Sequence, residues 1–312
     1  MAKNLGSIIG DVPSAISRQA TIYPVFQAIV DGEGHVVCHE VLTRCKLGDS
    51  FVNPMTLYAD ADRNGYAEAL FESILNQAMQ KAGDEPLWVN VSTDLIMRPD
   101  FKRIVEEAAR RHDYTLGKLN VEITEEPCLE GNEALGRRIH ELKIGLGVRI
   151  TQDDFIPDTD SIDRLRHLPL DFIKTDHQML IDAKEGVEGK KRLTEFISHC
   201  HDRGLPVIVE GVETEDERCL CVEVGADYMQ GYHFHRPSVE SSRVTRPLPP
   251  VERGEYSPHF SWNRIEAKLA GENTRASSHG GIPPSLGSLF KTAPPRAAAP
   301  TSTAQPRAPA PR

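Results

Sequence analysis

Between residues 21 and 240, short apolar or β-branched runs alternate with longer stretches in which apolar residues recur at helical spacing. That alternation restricts the chain to folds in which a largely parallel sheet is covered by helices. The predicted strands lie at 23–30, 36–43, 87–91, 119–123, 148–151, 172–174, 207–209 and 227–229. The predicted helices lie at 67–82, 100–111, 133–142, 161–168, 190–203 and 214–224. Over 100–111, Phe101, Ile104, Val105 and Ala108 share one helical face, and Leu193, Phe196 and Ile197 do so over 190–203. The first two strands are joined by Asp31-Gly32-Glu33-Gly34, a turn-forming run, so they pair as an antiparallel hairpin. The expected fold class is α/β, a (β/α)8 TIM-like barrel with one antiparallel strand; a doubly wound open sheet is the alternative.

The length of 312 residues suits one such barrel of roughly 250 residues with something appended. Residues 1–20 read as a short N-terminal segment and 21–246 as the folded domain, and 247–312 are rich in Pro, Ala, Ser and Gly. Too few large apolar side chains remain in 247–312 to offset the entropy of ordering, so that tail is expected to be largely disordered. No apolar run of about 18 residues occurs, which argues against a spanning helix and a membrane role. The N-terminus lacks a secretory signal pattern, which gives a cytoplasmic reading. The six cysteines, Cys38, Cys45, Cys128, Cys200, Cys219 and Cys221, show no paired C-x-x-C spacing and read as free thiols.

Charge is divided unevenly. From 241 onward ten Lys/Arg face four Asp/Glu, a charge of +6; with −10 overall, residues 1–240 carry −16. An acidic body opposes binding of duplex nucleic acid, which relies on cationic side chains. If it binds a phosphate-bearing ligand, divalent cations are the natural bridge.

The chemistry lies at the strand ends. Successive strands run into Glu40, Asn90, Glu122, the pair Asp153-Asp154, Lys174, Glu210 and Gln230. Singly, such a residue is more often a helix N-cap or a loop residue bonding its own backbone. Together they matter, because in a (β/α) barrel the C-terminal strand ends converge on one face. Carboxylates gathered in one mouth repel unless cations sit among them, and hard oxygen ligands suit Mg²⁺ or Mn²⁺. Asp153 and Asp154 could serve two ions about 3.5–4 Å apart, an arrangement that supports phosphoryl hydrolysis.

These residues fall into motifs. Phe26-Gln27-Ala28-Ile29-Val30-Asp31 opens the series, followed by Glu40-Val41-Leu42-Thr43-Arg44, Val89-Asn90-Val91-Ser92 and Val121-Glu122-Ile123-Thr124-Glu125. Asp153-Asp154-Phe155, Leu168-Pro169-Leu170-Asp171 with Lys174-Thr175-Asp176, and Val209-Glu210-Gly211-Val212-Glu213-Thr214 come next; Gln230-Gly231-Tyr232 with Arg236-Pro237 closes it. In this order, from Phe26 to Pro237, the chain resembles the EAL-type cyclic di-GMP phosphodiesterases, with valine in place of the alanine of the namesake motif. The resemblance implies a phosphodiesterase domain over 21–246 that opens cyclic di-GMP to linear pGpG. It implies a first metal held by Glu40, Asn90, Glu122 and Asp153, and a second shared by Asp153 and Asp154. Lys174 and Glu210 would orient or deprotonate the attacking water. Arg44 would face a substrate phosphate over Leu42, Gln27 and Gln230 would contact substrate, and Glu213 and Glu125 would play supporting parts. It also suggests a homodimer; the tail offers a site for a protein partner.

The sequence departs from the family after the paired aspartates. Active members usually carry a glycine-rich Phe-Gly-Thr/Ala-Gly run there; this chain has Phe155-Ile156-Pro157-Asp158-Thr159-Asp160-Ser161. Neither Ile156 nor Asp158 replaces the conformational freedom of glycine, and Pro157 constrains Ile156 further. Cys45 stands where the family usually has tryptophan. Two readings follow: a slow or conditional enzyme, or a silent cyclic di-GMP receptor that signals through a partner. A protein adaptor that has abandoned nucleotide is the weakest, since it leaves the polar positions unexplained.

Overall fold

The computed structural model describes residues 20–123, 132–155, 168–246 and 248. In chain order the elements are β1 (Thr21–Asp31), β2 (Val36–Leu47), β3 (Ser50–Val52), α1 (Pro54–Arg63), α2 (Ala67–Ala82), β4 (Leu87–Val91), α3 (Thr93–Met97) and α4 (Phe101–His112). They continue with β5 (Leu119–Ile123), α5 (Asn132–Leu146), β6 (Arg149–Phe155), β7 (Phe172–Thr175), α6 (His177–Glu185), α7 (Val187–His201), β8 (Val207–Val209), α8 (Glu215–Val224) and β9 (Tyr228–Gln230).

The sheet runs β1-β9-β8-β7-β6-β5-β4-β2, and β1 also pairs with β2, so these eight strands close on themselves. The open-sheet alternative fails at that pairing. β1 is antiparallel to both neighbours, and the pairs from β2–β4 round to β8–β9 are parallel. β3 lies outside the closed ring, paired antiparallel to the far end of β2.

Closure explains the strand composition. All five residues of β5 are buried: Leu119, Val121 and Ile123 join the outer core beneath the helices, and Asn120 and Glu122 face the other way. Inside the barrel Ile29, Val37, Cys38, Trp88, Phe172 and Ile208 form a separate apolar cluster, with the Trp88 and Phe172 rings 4.9 Å apart. Because side chains on one face of a strand recur every second residue, the positions two beyond Cys38, Trp88, Phe172 and Ile208 also point inward. Cys38 is thus followed by Glu40, Trp88 by Asn90, Phe172 by Lys174 and Ile208 by Glu210. An apolar floor with a polar layer stacked on it is the direct result.

The outer helices hold this ring by ordinary amphipathic packing. In α2, Leu70, Phe71, Ile74, Leu75, Ala78 and Met79 are buried, and Phe71 stacks on Phe101 of α4 with centroids 5.4 Å apart. α8 begins with a capping box: Thr214 accepts from the Glu217 backbone, and the Glu217 carboxylate accepts from the N–H of Thr214. Beyond β9 the chain forms a strap. Phe26 and Ser238 exchange backbone hydrogen bonds of 2.7 and 2.9 Å, Thr245 and Arg246 donate to the Val36 carbonyl, and Leu248 packs against the inner apolar cluster.

Some elements differ from the sequence-based expectation. β3, α1, α3 and α6 are additional, and β6 continues through the paired aspartates to Phe155 instead of ending before them. The expected helix at 161–168, apart from Leu168, and the altered loop at 156–161 lie outside the described residues, as do Glu125, Cys128, the segment 1–19 and nearly all of the tail. Cys38, Cys45, Cys200, Cys219 and Cys221 are free thiols, and no described helix is long and apolar enough to cross a membrane.

Candidate functional site

The polar layer sits at the C-terminal ends of the parallel strands, and its centre is a buried cation. Lys174, fully buried, directs its Nζ to Asp153 at 3.0 Å, Glu122 at 3.2 Å and Glu40 at 3.7 Å, and it also contacts Glu210. The side chains of Asn90 and Gln230 bracket Glu40: Asn90 Nδ2 donates to Oε1 at 2.8 Å and Gln230 Nε2 to Oε2 at 2.6 Å. Six strand residues, Glu40, Asn90, Glu122, Asp153, Lys174 and Gln230, therefore converge in one mouth with Glu210, the residue directly after β8.

Asp154 joins them through a backbone irregularity. Between Gln152 and Phe155 the register of β6 against β7 shifts, and Asp154 takes a left-handed φ of 49°. Bulges of this kind re-aim side chains. Here the bulge lets two consecutive aspartates both reach the mouth, where strict alternation would send one outward. A left-handed conformation in a residue with a Cβ costs about 1–2 kcal/mol, which the surrounding fold must offset.

One ammonium cannot balance the carboxylates around it. Burial pushes the Glu122 carboxyl well above its ordinary range; Lys174 opposes this, and Glu40, Asp153 and Glu210 reinforce it. Burial likewise lifts Glu210 to about 8 against the pull of Lys174. Asp154 is raised by burial and by its neighbour Asp153. Glu40 moves the other way: burial would raise it, yet Lys174, Asn90 and Gln230 together hold it below its ordinary value. Lys174 loses by burial and gains more from Asp153, Glu122, Glu210 and Glu40, so it stays charged.

The donor set fits a divalent cation. Both oxygens of Glu122, Oδ1 of Asp153 and Oε1 of Glu210 are buried and accept no aligned hydrogen bond, although Lys174 is within ion-pairing distance. Glu40, Glu122 and Asp153 each place an oxygen within 4.8 Å of the others, and so do Asp153, Asp154 and Glu210. Either grouping could hold a metal ion. A third grouping, Asp31, Glu33 and His35, lies at the far end of β1, where Arg246 reaches Asp31 at 3.0 Å.

A cavity of about 350 Å³ opens from this mouth. Glu40, Asn90, Asp153 and Asp154 line its near end, Leu42 and Arg44 its side, and Met55, Tyr58 and Asp62 of α1 its outer wall. Gln27 is buried opposite Glu40 in the β1–β2 register, and its amide donates to the His235 carbonyl at 3.4 Å. Glu213 is different: its side chain is exposed, and no described contact ties it to the carboxylate layer. No motif in the sequence draws attention to Tyr58 or Asp62. The signal available was their spacing of four on a helix that begins at Asn53-Pro54, an N-cap followed by a proline suited to the first turn.

Comparison with known proteins gives one consistent picture. A family model described as "EAL domain" matches residues 10–237. Among curated relatives, the probable cyclic di-GMP phosphodiesterase PdeG of Escherichia coli is 28% identical over 72% of this chain and 47% of that protein. The cyclic di-GMP phosphodiesterase NbdA of Pseudomonas aeruginosa is 27% identical over 69% of this chain and 28% of that protein. The chain thus spans less than half the length of these relatives. Among solved structures, the PaMucR phosphodiesterase in complex with c-di-GMP superposes with a TM-score of 0.63 at 22% identity, covering 70% of this chain and 92% of that one. The FimX EAL domain of Pseudomonas aeruginosa bound to c-di-GMP gives a TM-score of 0.62 at 22% identity, with 70% and 91% covered. At that identity the likeness concerns the fold.

Proposed function

Because the chain belongs to the EAL domain family, we propose that its barrel mouth hydrolyses cyclic di-GMP to linear pGpG with Mg²⁺ or Mn²⁺ bound. The observation that carries this reading is the excess of buried, unsatisfied carboxylate oxygen around Lys174. Such oxygens are costly unless a cation joins them.

In this reading Glu40, Asn90, Glu122 and Asp153 hold one ion, and Asp153 and Asp154 share a second. Bound ions of this class acidify a water and offset charge growing on the phosphoryl oxygens. Lys174 Nζ orients the attacking water, and Glu210, whose carboxyl lies next to that ammonium, accepts its proton. Without ions burial lifts that carboxyl to about 8, and cations bound beside it would bring it down toward the range in which a carboxylate accepts a proton near neutral pH. Arg44 pairs with a substrate phosphate above Leu42, and Gln27 and Gln230 steady the ligand. In-line attack at phosphorus breaks the bond to the leaving sugar oxygen and opens the ring, leaving one terminal phosphate.

The test is direct. The full chain is incubated with cyclic di-GMP and Mg²⁺ or Mn²⁺, and the nucleotides are separated by chromatography. Linear product is expected, and it should vanish with a chelator or with Glu40→Ala. Intact substrate bound tightly without turnover would replace the enzyme by a receptor, and activity surviving Glu40→Ala would overturn the metal assignment.

A further inference from the structure

The wall of the cavity facing the carboxylate layer carries three groups whose chemistry is complementary to a purine nucleotide. Tyr58 and Asp62 stand four residues apart on α1, one turn of helix, so both face the same space. Tyr58 is fixed: its phenolic O–H donates to Thr43 Oγ1 at 2.7 Å, which pins the ring against the end of β2 beside Arg44. The Asp62 carboxylate is exposed to the cavity and, among the described residues, receives no hydrogen bond or ion pair. Arg44 spends one N–H on the Thr43 carbonyl and keeps the rest of its fork. Behind them the cavity is apolar, lined by Leu70, Phe71, Ile74 and Leu75.

We propose that Tyr58 and Asp62 form the base-reading subsite of this cavity, in which Tyr58 stacks on a guanine and Asp62 accepts from its Watson–Crick edge. The inference rests on the cyclic dinucleotide reading above and adds the residues that select the base. Guanine offers two parallel donors, N1–H and the exocyclic N2–H, which a carboxylate accepts together. Adenine presents one donor and a ring-nitrogen lone pair, which a carboxylate repels. Enzymes that read an unstacked base do so by hydrogen bonds to this edge and by stacking on aromatic side chains. The volume of about 350 Å³ lies at the small end of the range of ligand sites, as expected for one base and its sugar phosphate. Arg44, between base wall and carboxylate layer, meets the phosphate that joins them.

The experiment compares cyclic di-GMP with cyclic di-AMP on wild type, Asp62→Asn, Asp62→Ala, Tyr58→Phe and Tyr58→Ala, with melting curves for each. Selectivity is the ratio of kcat/KM values if product forms and of Kd values if it does not, so the result stands for enzyme and receptor alike. Asp62→Asn replaces an acceptor pair with one acceptor and one donor, which matches adenine. It should lower the guanine-to-adenine ratio about 10- to 100-fold, through both a loss for cyclic di-GMP and a gain for cyclic di-AMP. Asp62→Ala should lower the ratio without the gain. Tyr58→Ala should weaken both ligands about 10-fold, and Tyr58→Phe should keep the ratio. An unchanged ratio in Asp62→Asn and Asp62→Ala, with wild type selecting guanine and all melting normally, overturns the assignment and leaves the hydrolysis reading intact. A wild type that binds neither nucleotide removes both.

Discussion

Replacing Lys174 with methionine should expose how much of the barrel's stability depends on charge balance in its mouth. The ammonium is fully buried and lies within 3.7 Å of Glu40, Glu122 and Asp153, with Glu210 also in contact. Methionine keeps much of the volume, so the change removes charge more than packing. Deleting one partner of a buried ion pair typically costs about 3–5 kcal/mol, because the remaining charge is left uncompensated. For a domain of this size each kcal/mol shifts Tm by about 2–4 °C, so the expected drop is roughly 6–20 °C. Differential scanning calorimetry in chelator at neutral pH measures it. Mn²⁺ should then raise the Tm of the variant more than that of wild type, since the ion replaces positive charge that the variant lacks. A variant melting within about 2 °C of wild type in chelator would refute the view that Lys174 balances the carboxylates. So would a variant that ignores Mn²⁺.

Other consequences are open to simple measurement. Glu210 has a folded pKa of about 8, above its ordinary 4.5, so its contribution to stability is complete below about 4.5 and is lost as pH rises through 8; metal-free protein should melt progressively lower across that window. Glu217 works in the opposite sense. Burial would raise it, but Lys184 and the N–H groups of Glu213 and Thr214 hold it at about 2, so its contribution exists above 4.5 and disappears as pH falls through 2. Glu217→Ala should cost about 1–2 kcal/mol at neutral pH by breaking the capping box, and should flatten the acid limb of the stability curve. Asp154→Gly should release left-handed strain and stabilise the protein by about 1 kcal/mol in denaturant titration while abolishing hydrolysis. In Gly231→Ala the new Cβ would lie 1.9 Å from the Val212 carbonyl oxygen, and the variant should be recovered unfolded or insoluble.

The strands of the closed barrel were legible because strand burial on both faces leaves near-continuous apolar runs, and the polar residue at each run's end marked the mouth. β4, β5 and β8 match the sequence reading residue for residue. What escaped detection follows from physics that pattern does not carry. In α1 only Leu57 and Ala61 are buried, too narrow a stripe to register as amphipathic. α6 is capped by Asp176, whose carboxylate accepts from the Gln178 N–H at 2.6 Å; in the sequence that acid stands out only as part of the Lys174-Thr175-Asp176 motif. The left-handed turn at Asp154 could not be read from composition, since aspartate there reports nothing of its φ. Likewise, that a single lysine would serve four carboxylates depends on closure of the ring, which brings together residues separated by as much as 170 positions.

The strap that follows β9 has mechanical implications. It runs outside β1, is stitched to Phe26 by two backbone hydrogen bonds, and ends with Leu248 seated against the apolar floor. The family match stops at residue 237, one residue before the first stitch, so a protein trimmed to that boundary would lose the lashing on the hairpin that carries Glu40.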